Sequence, residues 1–146
     1  MRAPFFCTQR KRVSLQAAHV YAAIDARMGQ IYWGCYQLIA ENKSAQLMRL
    51  VGEEVVIEPG ALMLPEGIDI AEQWIGCGTG WLFVNEIQSA GVQVKQVYDS
   101  LLPHSLDVLT LALPQFDAGN GLSPEEALPH YVRNNVAKKK SEQGAK

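Results

Sequence analysis

An α/β fold, a mixed sheet with helices packed on it, is what this chain of 146 residues predicts. Three observations carry the prediction. From His19 the pattern becomes that of a buried strand, because the apolar run VYAAIDA ends in a carboxylate. Strand candidates come first along the chain, and strand and helix candidates then alternate, which is the order of a mixed sheet. Near the C-terminus, Leu106, Leu109, Leu113 and Phe116 recur at steps of three, four and three, the period of an amphipathic helix. Apolar residues make up 48% and charged ones 19%, a globular balance rather than a disordered one. The net charge of −2 speaks against a polyanion binder by bulk charge. No uncharged stretch reaches the length of a membrane span; the longest, Met28–Ala40 and Gln73–Asn85, both contain glycines.

Taken in order, residues 1–18 show no periodicity and read as a leader with Arg2, Arg10, Lys11 and Arg12 forming a solvated basic tail. The strand that starts at His19 is followed by a turn at Arg27–Gly29, where Gly29 tolerates positive φ. Gln30–Ile39, rich in β-branched and aromatic residues, is a second strand that pairs with the first as a hairpin. Glu41–Ser44 is a polar turn. Ala45–Val51 and Glu53–Glu58 read as a third and a fourth strand. Pro59 suits a first helical turn, so Gly60–Leu64 reads as a short helix ended by Pro65–Gly67. Gln73–Cys77 is a buried strand, Gly78–Gly80 a loop, Trp81–Ala90 a helix and Gln93–Val97 a last strand. The amphipathic helix Ser105–Phe116 has Ser105 as its N-cap and Asp107 in its first turn, with Pro114 disturbing its end. Ser123, Pro124 and Glu126 resemble a capping box for a short final helix. The tail Ala137–Lys146, with Lys138, Lys139 and Lys140, is expected to be disordered.

Few residues carry chemistry. Asp25 and Arg27 sit at the end of the first strand, where open α/β sheets bind ligands. The carboxylate could hold a metal or water and the guanidinium could grip a phosphate, or the two could simply stabilise a turn. Gly76-Cys77-Gly78-Thr79-Gly80 lies between a strand and a helix, where glycines let backbone amides approach a phosphate or nucleoside. A tight strand-to-helix turn explains the same glycines equally well. His19, His104 and His130 lack metal-site spacing and read as surface or cap residues. Cys7, Cys35 and Cys77 form no disulfide or zinc pattern, which points to free thiols in a reducing compartment, the cytoplasm. Tyr32, Trp33 and Tyr36 could stack on bases, but alternation along a strand makes core and cross-strand pairs of them. No GxSxG elbow is present and no catalytic constellation can be assembled.

Three segments together, AAIDARMGQIYWGCYQ, IGCGTGW and LPHYVRNNVAKKK, in this order and spacing, resemble the TsaB (YeaZ) family. The resemblance runs from about Val20 to Lys140 and rests on the first and third segments more than on GTGW. It implies a ribonuclease-H-like lobe of the actin, heat-shock 70 and sugar kinase superfamily. It also implies a non-catalytic role in making N6-threonylcarbamoyladenosine on tRNA. In that role the chain would be the partner of a TsaD-like catalytic subunit and a TsaE-like ATPase, and would meet tRNA only indirectly. No cofactor or metal is implied for the chain itself, and ATP would enter only within the complex. Family members open with an ILAIDTS strand and a PGSFTGxR segment, and neither occurs here. The expectation is therefore a second lobe over residues 19–136, after an unmatched leader at 1–18 and before a basic tail at 137–146. Such a chain would be a truncated gene model, a fragment or the product of an internal start, and its dimerisation would be in doubt.

By resemblance, Asp25, Arg27, Gly78, Thr79 and Gly80 face the nucleotide side of an interlobe cleft. Tyr131 and Arg133 belong to a structural C-terminal segment. Two other readings stay open. One is a nucleotide-binding module or enzyme that uses the Asp25/Arg27 and Gly76–Gly80 turns. The other is an inactive fragment with an exposed apolar patch where the first lobe would dock.

Overall fold

The computed structural model describes residues 19–42, 45–69, 73–129 and 131–133. The expectations for residues 1–18, for Cys7, for His130 and for the tail at 137–146 lie outside the described residues. Five strands form one sheet: β1 (His19–Arg27), β2 (Gln30–Asn42), β3 (Ala45–Ile57), β4 (Trp74–Cys77) and β5 (Gln96–Tyr98). Their order across the sheet is β3-β2-β1-β4-β5. β2 runs antiparallel to β1 and β3, while β4 and β5 run parallel to β1. The chain is thus a mixed α/β sheet, with the strand order and polarity of the ribonuclease-H-like lobe that the resemblance implies.

The alternation of side chains decides where the core forms. Tyr21 and Ala23 on β1 stand beside Cys35 and Trp33 on β2, and Trp33 stands beside Val55 on β3. This face carries the core: Tyr21, Ala23, Ile31, Trp33, Cys35 and Trp74 are buried together with Leu62, Trp81, Ile87 and Val92 from the connections above the sheet. Tyr21 stacks on Trp74 with ring centroids 4.2 Å apart and on Trp33 at 5.2 Å. Trp33 meets Trp81 at a tilted 6.0 Å. Each such aromatic pair adds about 0.5–1.5 kcal/mol beyond its burial. The sequence reading of Trp33 and Tyr36 as core residues holds, and Cys35 and Cys77 are buried free thiols.

Several boundaries differ from the sequence expectation, each for a physical reason. Ala45–Val51 and Glu53–Glu58 are one strand, β3, not two. Gly52 takes φ +76° inside a bulge, where register shifts between Trp33 and Cys35 of β2. The glycine bends the strand without ending it, because the ladder resumes on both sides. The helix expected at Gly60–Leu64 is a 3-10 turn at Pro59–Ala61. The loop expected at Gly78–Gly80 is shorter: a 3-10 helix begins at Thr79 and runs to Phe83, and α1 (Val84–Ser89) continues it. The last strand lies at Gln96–Tyr98 rather than Gln93–Val97. In the amphipathic helix, α2 (Ser105–Asp117), the cap is His104 and not Ser105, since Nδ1 of His104 accepts the Leu106 amide at 3.2 Å. Pro114 stays inside α2, which runs on to Asp117. At Ser123 the Glu126 carboxylate does accept the Ser123 amide at 3.0 Å, but a turn follows and no helix.

Candidate functional site

The site expected from the sequence lies where the parallel pair β1 and β4 ends. Tyr21 is level with Gly76 and Ala22 with Cys77, so the segments that follow emerge side by side. The Asp25 amide then donates to Thr79 Oγ1 at 3.1 Å, which joins two of the expected residues across 54 positions of sequence. The Asp25 carboxylate serves its own hairpin. Its Oδ1 accepts the Arg27 amide at 2.8 Å, and its Oδ2 lies 3.6 Å from Arg27 Nη1. The hairpin needs this support, because Arg27, Met28 and Gly29 all take positive φ, at 65°, 57° and 73°. A side-chain-bearing residue pays about 1–2 kcal/mol for that conformation, and an Asp bonding two residues ahead stabilises it. Arg27 itself has a side chain 86% exposed, so its guanidinium is open to an anion from solvent.

The glycines are also closely packed. A Cβ on Gly78 would collide with the Ala23 carbonyl oxygen, and φ there is +100°. A Cβ on Gly80 would lie 2.8 Å from Ala23 Cβ. One on Gly76 would run into the Trp81 ring. The Gly78 amide is already used, donating to the Tyr98 carbonyl at 3.0 Å. Trp81 folds back over Gly76 and donates its indole N–H to the Tyr21 carbonyl at 3.2 Å. Close packing gives each glycine a structural reason, Gly78 and Gly80 against β1 and Gly76 against Trp81.

Arg133 joins the same end of the molecule. Its Nη2 donates to Gln30 Oε1 at 2.6 Å, and Gln30 is the strand partner of Arg27. Tyr131 is 72% exposed. A contact across 103 positions leaves no local trace in sequence, and the approach of Arg133 to the Arg27 hairpin was not anticipated. His19 corrects the sequence reading: it is buried beside Trp74, with ring centroids 4.7 Å apart, instead of lying at the surface. His104 is the cap residue described above. Among the described residues no group of three or more His, Cys, Asp or Glu side chains could hold a metal ion. Burial pushes the Cys35 thiol from 9.0 up to about 12, against a smaller opposing effect of the Trp33 indole. It pushes the Tyr21 phenol up as well, with Cys35 adding to the effect. Neither group is set up as a nucleophile at neutral pH. Among the described residues no helix is long and apolar enough to cross a membrane.

No protein-family model matches the chain. Individual proteins do. The chain is 36% identical over 129 residues to the tRNA threonylcarbamoyladenosine biosynthesis protein TsaB of Escherichia coli, a match that covers 85% of this chain and 52% of that protein. It is 28% identical to the Haemophilus influenzae protein of the same name, over 86% of this chain and 52% of that one. Among solved structures, a Pseudomonas aeruginosa protein described as similar to peptidase YEAZ superposes with a TM-score of 0.67 at 42% identity, over 80% of this chain and 50% of that one. YeaZ from Pseudomonas aeruginosa gives 0.65 at 43% identity, over 79% and 50%. The chain spans about half the length of the curated relatives it matches. Sequence identity and shared fold agree over that half, where the chain is similar to the TsaB and YeaZ proteins.

Proposed function

We propose that this chain is a non-catalytic supporting subunit in the synthesis of N6-threonylcarbamoyladenosine on tRNA. The observation that carries the proposal is its 36% identity to the Escherichia coli protein named for that pathway. In this reading the chain works beside a TsaD-like catalytic subunit and a TsaE-like ATPase in the cytoplasm, and the chemistry lies in the partner. Support comes from how the described polar groups are used. Asp25 holds a hairpin, His104 caps a helix, His19 is packed on Trp74, and both described cysteines are buried. None of this resembles the exposed nucleophile and base that a peptidase would need.

The end of the sheet with Asp25, Arg27 and Thr79 is the side that we assign to the nucleotide cleft. There the Arg27 guanidinium is the group available to an anion, and Gly78 and Gly80 shape the wall behind it. The test is co-purification with a TsaD-like subunit, together with the level of modified tRNA in a strain that lacks its own TsaB. Retention of the partner and restored modification are expected. A chain that folds but neither retains the partner nor restores the nucleoside overturns the proposal.

A further inference from the structure

We infer that the Asn120-Gly121 pair is a self-modifying site, at which the Asn120 side chain loses its amide and a carboxylate appears at the C-terminal end of α2. The inference is independent of the proposed function.

The reaction needs a side-chain amide next to a backbone nitrogen that can reach it. The Gly121 nitrogen attacks Asn120 Cγ, a new N–Cγ bond closes a five-membered imide, and the Cγ–Nδ2 bond breaks. Nδ2 takes up the proton from the Gly121 nitrogen and leaves as ammonia. Water then opens the ring. Opening at Cγ gives an aspartate. Opening at the main-chain carbonyl gives an isoaspartate, whose backbone runs on through the former side chain. Water is the one co-reactant.

The structure favours this position. Asn120 and Gly121 are both exposed and lie outside any helix or strand. Among the described residues the Gly121 amide donates to no backbone carbonyl, so its nitrogen is fixed in no ladder. Gly121 has no side chain to shield that nitrogen, and a Cβ built there would meet open space, so the surrounding fold does not crowd the approach either. Asn85 is the contrast. It lies within α1, where the backbone is helical, and the Glu86 side chain stands on the residue that would have to attack.

Placement gives the reaction a consequence. Asn120 helps to close α2. Its backbone amide donates to the Gln115 carbonyl at 3.0 Å, and Gly119, at φ +72°, donates to the Phe116 carbonyl at 3.0 Å. Its Nδ2 also donates to Gln115 Oε1 at 3.1 Å. The last carbonyls of a helix carry partial negative charge. The final residue of α2 is Asp117, and its last turn holds no basic residue. A carboxylate at position 120 adds to that charge with no cation to offset it, and the Nδ2 donor is gone. The isoaspartate form also lengthens the main chain by one carbon where it leaves the cap. No residue of α2 is buried, so little else holds the last turn. Modification therefore loosens the end of α2 and leaves the core around Trp33, Trp74 and Trp81 unchanged.

The test incubates the whole chain at about pH 8 and about pH 5, because attack requires loss of the Gly121 amide proton and base promotes it. At the higher pH the mass should rise by about 1 Da, and peptide mapping should place the gain at residue 120. Charge-based separation should show one negative charge added to the net −2. An isoaspartate-specific methylation assay should detect the second product. Gly121→Ala should slow the gain at least about tenfold by crowding the nitrogen. The added Cβ meets open space, so this variant keeps the fold. Asn120→Asp carries the charge of the product and should speed hydrogen exchange in the last turn of α2 about two- to fivefold, with tryptophan fluorescence unchanged. No gain at residue 120, an equal gain at Asn85, or a rate indifferent to Gly121→Ala would each overturn the site. Unchanged exchange in Asn120→Asp would overturn its consequence for α2.

Discussion

The glycines at the end of β4 show how one residue type can have a packing reason beside a chemical one. A run such as GCGTG invites a phosphate, yet Gly78 leaves no room for a Cβ beside the Ala23 carbonyl and sits at φ +100°. Gly78→Ala must both strain the backbone and push β4 from β1. We expect it to lower stability by about 2–4 kcal/mol, read as a reduced urea midpoint at unchanged slope. A loss under about 0.5 kcal/mol would return the residue to the ligand-binding reading. Cys35 gives a second expectation at this scale. Its thiol titrates near 9.0 unfolded and about 12 folded, so folded chains keep the proton longer. Below pH 9 both states are protonated and the thiol adds no pH dependence. Above it the unfolded state loses its proton first, so stability falls with rising pH, by at most about 1.4 kcal/mol per unit, until the folded thiol titrates. Tyr21, shifted in the same direction, adds to the fall at the top of this range. Urea midpoints measured from pH 8 to 11 should drop, and more gently in Cys35→Ala.

At the level of elements, α2 contains its own fault. Pro114 cannot donate to the Thr110 carbonyl, and its ring crowds the preceding turn. Pro114→Ala should strengthen the helix by up to about 3 kcal/mol and raise far-UV helical signal while leaving tryptophan fluorescence unchanged. A fluorescence change would mean that α2 packs on the core after all. The elements also show what sequence could and could not reveal. The hairpin of β1 and β2, the buried strand at Trp74–Cys77 and the period of α2 were legible, because each is a local pattern of side chains. The fusion of two expected strands into β3 was not, because a glycine at positive φ looks the same whether it ends a strand or bulges it. Which outcome wins depends on β2 alongside and on Pro65, whose ring occupies the space beside Gly52. The cap at His104 was hidden for a smaller reason: Ser105 is the commoner cap, and a ring nitrogen one residue earlier does the same work. The Asp25 and Thr79 pairing was foreseen only as two separate turns, since parallel strand ends meet through the sheet and not through the chain.

For the molecule as a whole, the distribution of burial predicts unequal stability. All three tryptophans, Trp33, Trp74 and Trp81, lie in one buried cluster on one face of the sheet. Helix α2 buries no residue, and the other described helices are short. Helical signal and tryptophan signal therefore report on different parts of the chain. Far-UV circular dichroism should decline gradually on heating, ahead of a sharp, later transition in tryptophan fluorescence, because opening α2 exposes little new apolar surface. Trp81 should govern the second transition alone. Its ring fills the space over Gly76 and its indole bonds Tyr21, so Trp81→Ala should cost about 3–5 kcal/mol and shift the fluorescence transition far more than the early helical decline. Coincident transitions would instead place α2 within the cooperative unit.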